Sequence, residues 1–297
     1  MIRPFATVNV DVDPVDLHLL GYGVRGLPPD PLVYDVALPR LLERCARAGV
    51  RATFFCVGRD AVAHAAALGR IVAAGHEVAS HSLTHPLALT RLPAVALRGE
   101  IAESKRLLER AIDRAVAGFR APNFDVDTRV LGEVAAAGYR YDASDYPTPL
   151  LAAARAVLAL KSGDPAGVLS MRLVPHSLER APHRHRAAGG LAEFPASVTP
   201  FVRWPVYHTL RLLGGPGPTH RRIEGFARRG EPLSYTLHAV DVLGLAEDGV
   251  DPRLAPHPGM RLPLAEKLSA LDQVLGLVAG RFEVATFQDR LARGDPP

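Results

Sequence analysis

The sequence predicts an α/β protein of parallel βα units that close toward a barrel. Three observations carry that prediction. Short apolar or β-branched runs alternate with segments whose apolar residues recur at helical spacing. Six or seven such βα steps follow one another in one chain, so barrel-like closure is expected, though it need not be complete. Finally, 297 residues at 48% hydrophobic and 22% charged suffice to bury a full core as one large domain.

Taken in order, Phe5 to Val10 is a buried strand that runs straight into Asp11-Val12-Asp13-Pro14. Asp35 to Ala48 has helical spacing and stops at Gly49, Arg51 to Val57 is a strand, and Asp60 to Ala74 is a helix that stops at Gly75. Glu77 to Ser80 is the third strand. Leu97, Ile101, Leu107, Leu108, Ala111 and Ile112 form the stripe of the next helix. A short strand at Gly118 to Arg120, a helix from Thr128 to Ala137 and a strand at Gly138 to Tyr141 follow. Strands are expected again near Ala192 to Phe194, Leu233 to His238 and Arg281 to Ala285, with a helix from Leu264 to Val278 before the last. Between about 145 and 230 the pattern is interrupted by Pro/Gly-rich and apolar segments, so the reading is one domain over 1–297 with an apolar, basic insert. There is no internal repeat.

Composition excludes several classes. The net charge of +4 comes from arginines scattered among acids, without a basic block or interleaved aromatics, so nucleic acid is not an expected partner. The two cysteines, Cys45 and Cys56, fall on a helix and a strand and read as buried thiols, not as a disulfide framework or a zinc pattern. The first strand begins too early for a leader peptide, and apolar runs such as Leu150 to Leu160 are shorter than the ~20 residues that cross a bilayer. A cytoplasmic protein is therefore expected, able to work at the inner face of the membrane.

In βα folds the chemistry collects where strands end. Alternation along the first strand puts Asp11 and Asp13 on one face, roughly 6.5 Å apart, where two like charges at the edge of a core need a cation or a proton between them. Strand-end polar residues elsewhere are Ser80-His81-Ser82-Leu83-Thr84-His85, Arg120-Ala121-Pro122-Asn123, Asp142-Ala143-Ser144 and His238. His81 and His85, four apart, can aim both imidazoles at one point, and a carboxylate completes a three-ligand site with an open position. Zinc suits such an N,N,O set; nickel, cobalt and iron(II) also fit.

These segments resemble the polysaccharide deacetylase (NodB-homology) family of metal-dependent carbohydrate esterases. The family's paired acids are matched by Asp11-Val12-Asp13, its His-Ser/Thr-x-x-His by His81 to His85, its Arg-x-Pro by Arg120-Ala121-Pro122 and its late Leu-His by Leu237-His238. The resemblance implies a distorted (β/α) barrel of about seven strands, a bound divalent metal, most simply Zn2+, and hydrolysis of an N-acetyl or N-formyl group from an amino sugar. Residue by residue it makes Asp13, His81 and His85 metal ligands, Asp11 the general base, His238 the general acid, and Arg120 the group that holds the base. Val12 separates two acids that are adjacent in the family, so the roles of Asp11 and Asp13 stay open to exchange. The family's later Asp, which orients the acid histidine, is assigned to Asp142, with Asp145 in reserve. A backbone N–H near Asn123 or Phe124 would help hold the oxyanion.

In the insert, segments 149–160 and 199–213 mix Phe201, Trp204, Tyr207 and leucines with Arg203 and Arg211, as an interfacial segment beside a lipid headgroup would. This resembles the branch acting on polyprenyl-phosphate-linked amino sugars, and predicts a glycolipid substrate and peripheral membrane contact. His176, His183 and His185 lie among arginines and are expected in a solvated loop. An allantoinase-like cyclic-amide hydrolase, with a small closed pocket, and a non-catalytic carbohydrate- or lipid-binding relative are the alternatives.

Overall fold

The structure, a computed structural model, describes residues 3–161 and 164–296. Its centre is β1 (Phe5–Val12), whose Val8 and Val10 are fully buried. Helix α1 (Val15–Gly21) follows directly, then α2 (Leu38–Ala48), which ends at Gly49 in the left-handed conformation a glycine adopts without steric cost. Strand β2 (Ala52–Cys56), α3 (Ala65–Ala73), β3 (Glu77–Ser80), α4 (Ala94–Ile112), β4 (Gly118–Phe119), α5 (Thr128–Ala136) and β5 (Tyr141–Asp142) continue the βα rhythm. The insert is not merely loop: it holds α6 (Leu151–Lys161), α7 (Pro165–Ser170), β6 (His183–His185), β7 (Leu191–Glu193), α8 (His208–Gly214) and α9 (Pro216–Arg229). Then come β8 (Leu233–His238), α10 (Leu264–Arg281), β9 (Glu283–Val284) and α11 (Phe287–Ala292).

The nine strands among the described residues make one sheet in the order β6-β7-β5-β4-β3-β2-β1-β8, with β9 paired to the start of β1. Every pairing is parallel except β6 with β7, a short hairpin that the sequence pattern did not reveal. The sheet curls into part of a barrel, so the expected distorted and incomplete (β/α) barrel is found. Between β7 and β8 the gap is bridged by the chain itself: the Ser234 N–H donates to Ser197 Oγ at 2.8 Å, and Tyr207 bridges to Thr236.

Alternation along the strands sorts the core into two layers. Phe54 packs outward with Leu41 and Cys45 of α2 and Val274 and Val278 of α10, while Phe55 packs inward with Ala79, Tyr141, Phe194 and Phe287. Cys45 and Cys56 are buried free thiols, as the sequence indicates. Helix α11 closes the end of the barrel where the strands start: the Phe287 N–H donates to Thr53 Oγ1 and the Gln288 N–H to Glu77 Oε2. The opposite end stays open, and Asp11, His81, Arg120 and His238 all sit at it.

Candidate active site

Strand β1 runs two residues further than expected, which sets Asp11 on the strand and Asp13 just past it; both are buried. Arg120, immediately after β4 and fully buried, donates from Nη1 to Asp11 Oδ1 at 2.7 Å and from Nε to the Ala143 carbonyl at 3.0 Å. Its guanidinium lies 4.1 Å from the centroid of the Phe55 ring, so the fork is held in plane by packing as well as by hydrogen bonds. Burial pushes the Asp11 carboxyl up, but Arg120, with His81 and His238 beside it, outweighs this and holds it below the usual carboxylate range.

Asp13 faces the histidines instead. The His81 Nδ1–H donates to the Arg120 carbonyl at 2.9 Å, which turns Nε2 toward Asp13 Oδ1 at 3.5 Å; His85 Nε2 lies 3.6 Å from the same oxygen. His85 reaches that position through a tight turn in which Ser82 and His85 have φ of 64° and 57° and the His85 N–H donates to Ser82 Oγ. Burial, aided by the charge of Asp11, raises Asp13, and burial lowers His81 and takes His85 down to about 4. The buried Asp13 Oδ1 has no hydrogen-bond partner among the described residues. A carboxylate oxygen without a donor, between two ring nitrogens too distant to donate to it, fits a cation: ligands ~2.0–2.1 Å from a tetrahedral ion stand about 3.3 Å from one another. Asp13, His81 and His85 thus form a group able to hold a metal.

His238, at the end of β8, has Nε2 3.9 Å from Asp11 Oδ2, and its N–H donates to Asp241 Oδ2 at 2.9 Å. Asp142 does not reach it, which corrects the role assigned from the sequence. Its two oxygens accept from the Ser144 N–H and Oγ–H, both at 2.8 Å, and Ser144 Oγ in turn accepts from the Ala121 N–H. Asp142 therefore braces the segment that carries Arg120; burial takes its carboxyl up to about 6 against these donors. Asp145 is turned elsewhere as well, toward His176, His183 and His185, so those histidines are not a solvated loop. The Phe124 N–H is spent on the Ala121 carbonyl, which leaves Asn123, at φ 56°, as the remaining backbone candidate for an oxyanion.

Two residues that the sequence reading missed complete the surroundings. His18, on α1, has its ring 5.6 Å from that of His238 and 5.1 Å from that of His257. Burial, then the neighbouring histidines, hold His18 well below the ordinary imidazole range. The signal for His18 was a histidine one helical turn past the paired acids; His257 offered none. A cavity of about 620 Å³ opens over Asp11, Asp13, His81, His85 and His238, and its wall is apolar: Leu151, Ala154, Val157, Leu158, Trp204 and Leu210.

Fold and site together define a NodB-type (β/α) barrel with a three-ligand cluster and a buried Arg–Asp pair at its open end. A family model described as polysaccharide deacetylase matches residues 32–141. A peptidoglycan deacetylase of Helicobacter pylori is 29% identical over 142 residues, 46% of this chain and 47% of that protein. A chitooligosaccharide deacetylase of a Bradyrhizobium species is 30% identical over 145 residues, 43% of this chain and 66% of that one. The matches thus span about half to two thirds of these relatives' length. Among solved structures, a candidate polysaccharide deacetylase from Mycobacterium smegmatis shares the fold at a TM-score of 0.59 and 18% identity, over 98% of this chain and 90% of its own. A family 4 carbohydrate esterase from Streptomyces lividans does so at 0.50 and 15%, over 94% and 90%. Over its N-terminal half the chain is similar to polysaccharide deacetylases, and the solved structures share its fold.

Proposed function

We propose that the protein is a metal-dependent hydrolase that removes an N-acyl group, acetyl or formyl, from an amino sugar, with a lipid-linked sugar as its preferred substrate. The observation that carries the hydrolase reading is the division of labour between the two N-terminal aspartates: one is turned to an arginine and His238, the other to two imidazoles. Asp13, His81 and His85 would hold the divalent cation, Zn2+ by its donor set, which supplies a positive charge that acidifies water and polarises an acyl oxygen.

The chain's own groups do the rest. Asp11, held as a carboxylate by Arg120, is the general base that takes the proton of the attacking water. His238, on the other side of Asp11, is the general acid that protonates the leaving nitrogen as the C–N bond breaks. Arg120 fixes the orientation of the base, and Asp142 is a positioning residue that acts through Ser144 and Ala121. Asn123 lines the cavity, and its backbone N–H would donate to the developing oxyanion.

The glycolipid part rests on the cavity wall. An apolar surface of leucines, Val157 and Trp204 beside the reacting groups suits a hydrocarbon chain better than a bare oligosaccharide. The same feature speaks against the cyclic-amide reading, which requires a small closed pocket. The test is acetate or formate release by Zn2+-loaded protein from a soluble chitooligosaccharide and from a polyprenyl-phosphate-linked N-acyl amino sugar, with Asp11→Asn and His238→Ala as controls. Faster release from the lipid-linked substrate is expected. Release from the soluble one alone removes the glycolipid part, and stoichiometric metal without release from either favours a binding protein.

A further inference from the structure

A second group of ligating side chains lies away from the cavity, on the insert. The fully buried carboxylate of Asp145, just after β5, faces His176 Nδ1 at 3.1 Å through Oδ1, and His183 Nε2 at 3.5 Å and His185 Nε2 at 3.7 Å through Oδ2. Ligand atoms of Asp145, His176 and His185 all lie within 4.8 Å of one another. These separations match those around Asp13, His81 and His85, and they bracket the ~3.3 Å edge expected of a tetrahedral N,O site.

Three further facts point to a cation. Asp145 Oδ2 is buried and has no hydrogen-bond partner among the described residues, although two imidazoles face it. The His183 tautomer is set from outside: its Nδ1–H donates to the Ala181 carbonyl at 3.1 Å, which leaves Nε2 with its lone pair toward the carboxylate, the arrangement of a ligating histidine, while His176 Nδ1 is hydrogen-bonded to Asp145 Oδ1. Two arginines of this loop are committed elsewhere, and Arg172 is a cationic charge that does act on His176. Arg180 pairs with Glu231 and the Val198 carbonyl, and Arg184 donates to the carbonyls of Gly190 and Pro296. Nearby Asp142 and Glu193, both fully buried, share a proton in a hydrogen bond between them; Glu193 Oε1 accepts from the Asp145 N–H, and Glu193 Oε2 lies 3.0 Å from His185 Nε2, so a second carboxyl stands at the group.

We propose that Asp145, His176 and His185 form a second divalent transition-metal site, structural and separate from the cluster around Asp13. Two imidazoles and one carboxylate are a donor set that zinc prefers, and His183 Nε2, 3.5 Å from Asp145 Oδ2, stands beside them as a further donor. The ion would clip segment 172–188 to the end of β5. Tyr146 and Thr148, next along the chain, line the cavity, and Arg203 ties the carbonyls of Pro147 and Leu178 together beside them. The clip would therefore hold one cavity wall against the barrel.

The test is Co2+ titration of metal-free protein, followed by visible absorption and by equilibrium metal content. Wild type is expected to bind two equivalents. The pair His81→Ala/His85→Ala and the pair His176→Ala/His183→Ala should each bind one, and the second pair should lose the rise in Tm that the other equivalent brings. Should the second pair fold poorly by circular dichroism, His176→Gln/His183→Gln is read in the same way. A wild type that binds one equivalent, lost in the first pair and intact in the second, overturns the proposal while leaving the active-site cluster standing. Two equivalents bound by wild type and still two by the second pair also overturn it.

Discussion

Asp11 and Asp13 carry the same functional group on either side of one valine, and what separates their roles is what each carboxylate touches. Asp11 is tied to a fully buried guanidinium, and Asp13 looks at two nitrogens that cannot donate to it. Asp11→Asn should therefore lower kcat by ~10²–10⁴-fold, the usual worth of a general base, and leave metal content unchanged. Asp13→Asn should lose bound metal as well as activity; stoichiometry by elemental analysis beside kcat separates the two. If Asp11→Asn empties the site and Asp13→Asn does not, the roles are exchanged. Arg120 carries a stability prediction too. Arg120→Met leaves the Asp11 carboxylate buried without its partner, and removing one member of a buried ion pair costs about 3–5 kcal/mol, which urea unfolding would register.

At the scale of elements, β2, β3 and β5 are joined below the site by one buried carboxyl inside the barrel. Glu77 on β3 accepts from Tyr141 of β5 at 2.8 Å and from Thr53 of β2 at 2.7 Å, and burial nevertheless takes its carboxyl up to about 7. The folded state thus binds this proton more tightly than the unfolded chain, whose Glu titrates near 4.3. The stabilisation is fully present below that unfolded value and is lost as pH rises through 7, a change on the order of 3 kcal/mol. Glu77→Gln should flatten the fall in unfolding free energy between pH 4.5 and 7.5, and an unchanged slope would count against the assignment. Gly118 on β4 lies against the same tyrosine: a Cβ there would sit 1.9 Å from Tyr141 Cζ. Gly118→Ala should destabilise by about 1–3 kcal/mol, as overpacked cores do, and disturb near-ultraviolet dichroism of the tyrosines.

These elements also mark where the sequence could and could not be read. Strands β1, β2, β3 and β8 were legible because short runs rich in apolar, β-branched and aromatic residues alternate with helical patterns, and the site residues at their ends because strand ends are where polar groups must be explained. The insert was not: α6 and α8 are apolar without a clear stripe, and β6 is His-Arg-His, a strand by pairing alone. The expectation of a solvated loop from Arg180 to Arg186 failed because His183 and His185 turn inward to the buried Asp145. Asp142 was misplaced because a short strand hides which way the following carboxylate turns; Ser144, two residues on, satisfies it locally.

On the scale of the whole molecule, no helix among the described residues is long and apolar enough to cross a membrane, yet large apolar side chains are exposed on both segments that line the cavity. Leu160 at the end of α6 is 87% exposed, and Phe201 and Val202 are 100% and 66% exposed. Phe201 is held out by construction: it has φ 60° in a turn pinned by the Trp204 N–H on Thr199 Oγ1 and the Thr199 N–H on the Trp204 carbonyl. A non-glycine residue kept in that region to display a phenyl ring in water is a local cost that insertion into an apolar phase would offset. Trp204, the chain's single tryptophan, lies in the cavity wall beside Arg222, so its emission reports on that face. Anionic phospholipid vesicles should shift Trp204 emission to the blue. Leu160→Ser/Phe201→Ser/Val202→Ser should weaken vesicle binding by at least ~10-fold, since each buried apolar side chain is worth about 1.5–3 kcal/mol. The same variant should keep its kcat/KM on a soluble N-acyl amino sugar and lose it on a lipid-linked one. An emission maximum indifferent to vesicles would remove the membrane from the account and leave the group of acids and imidazoles at the open end of the barrel as it is.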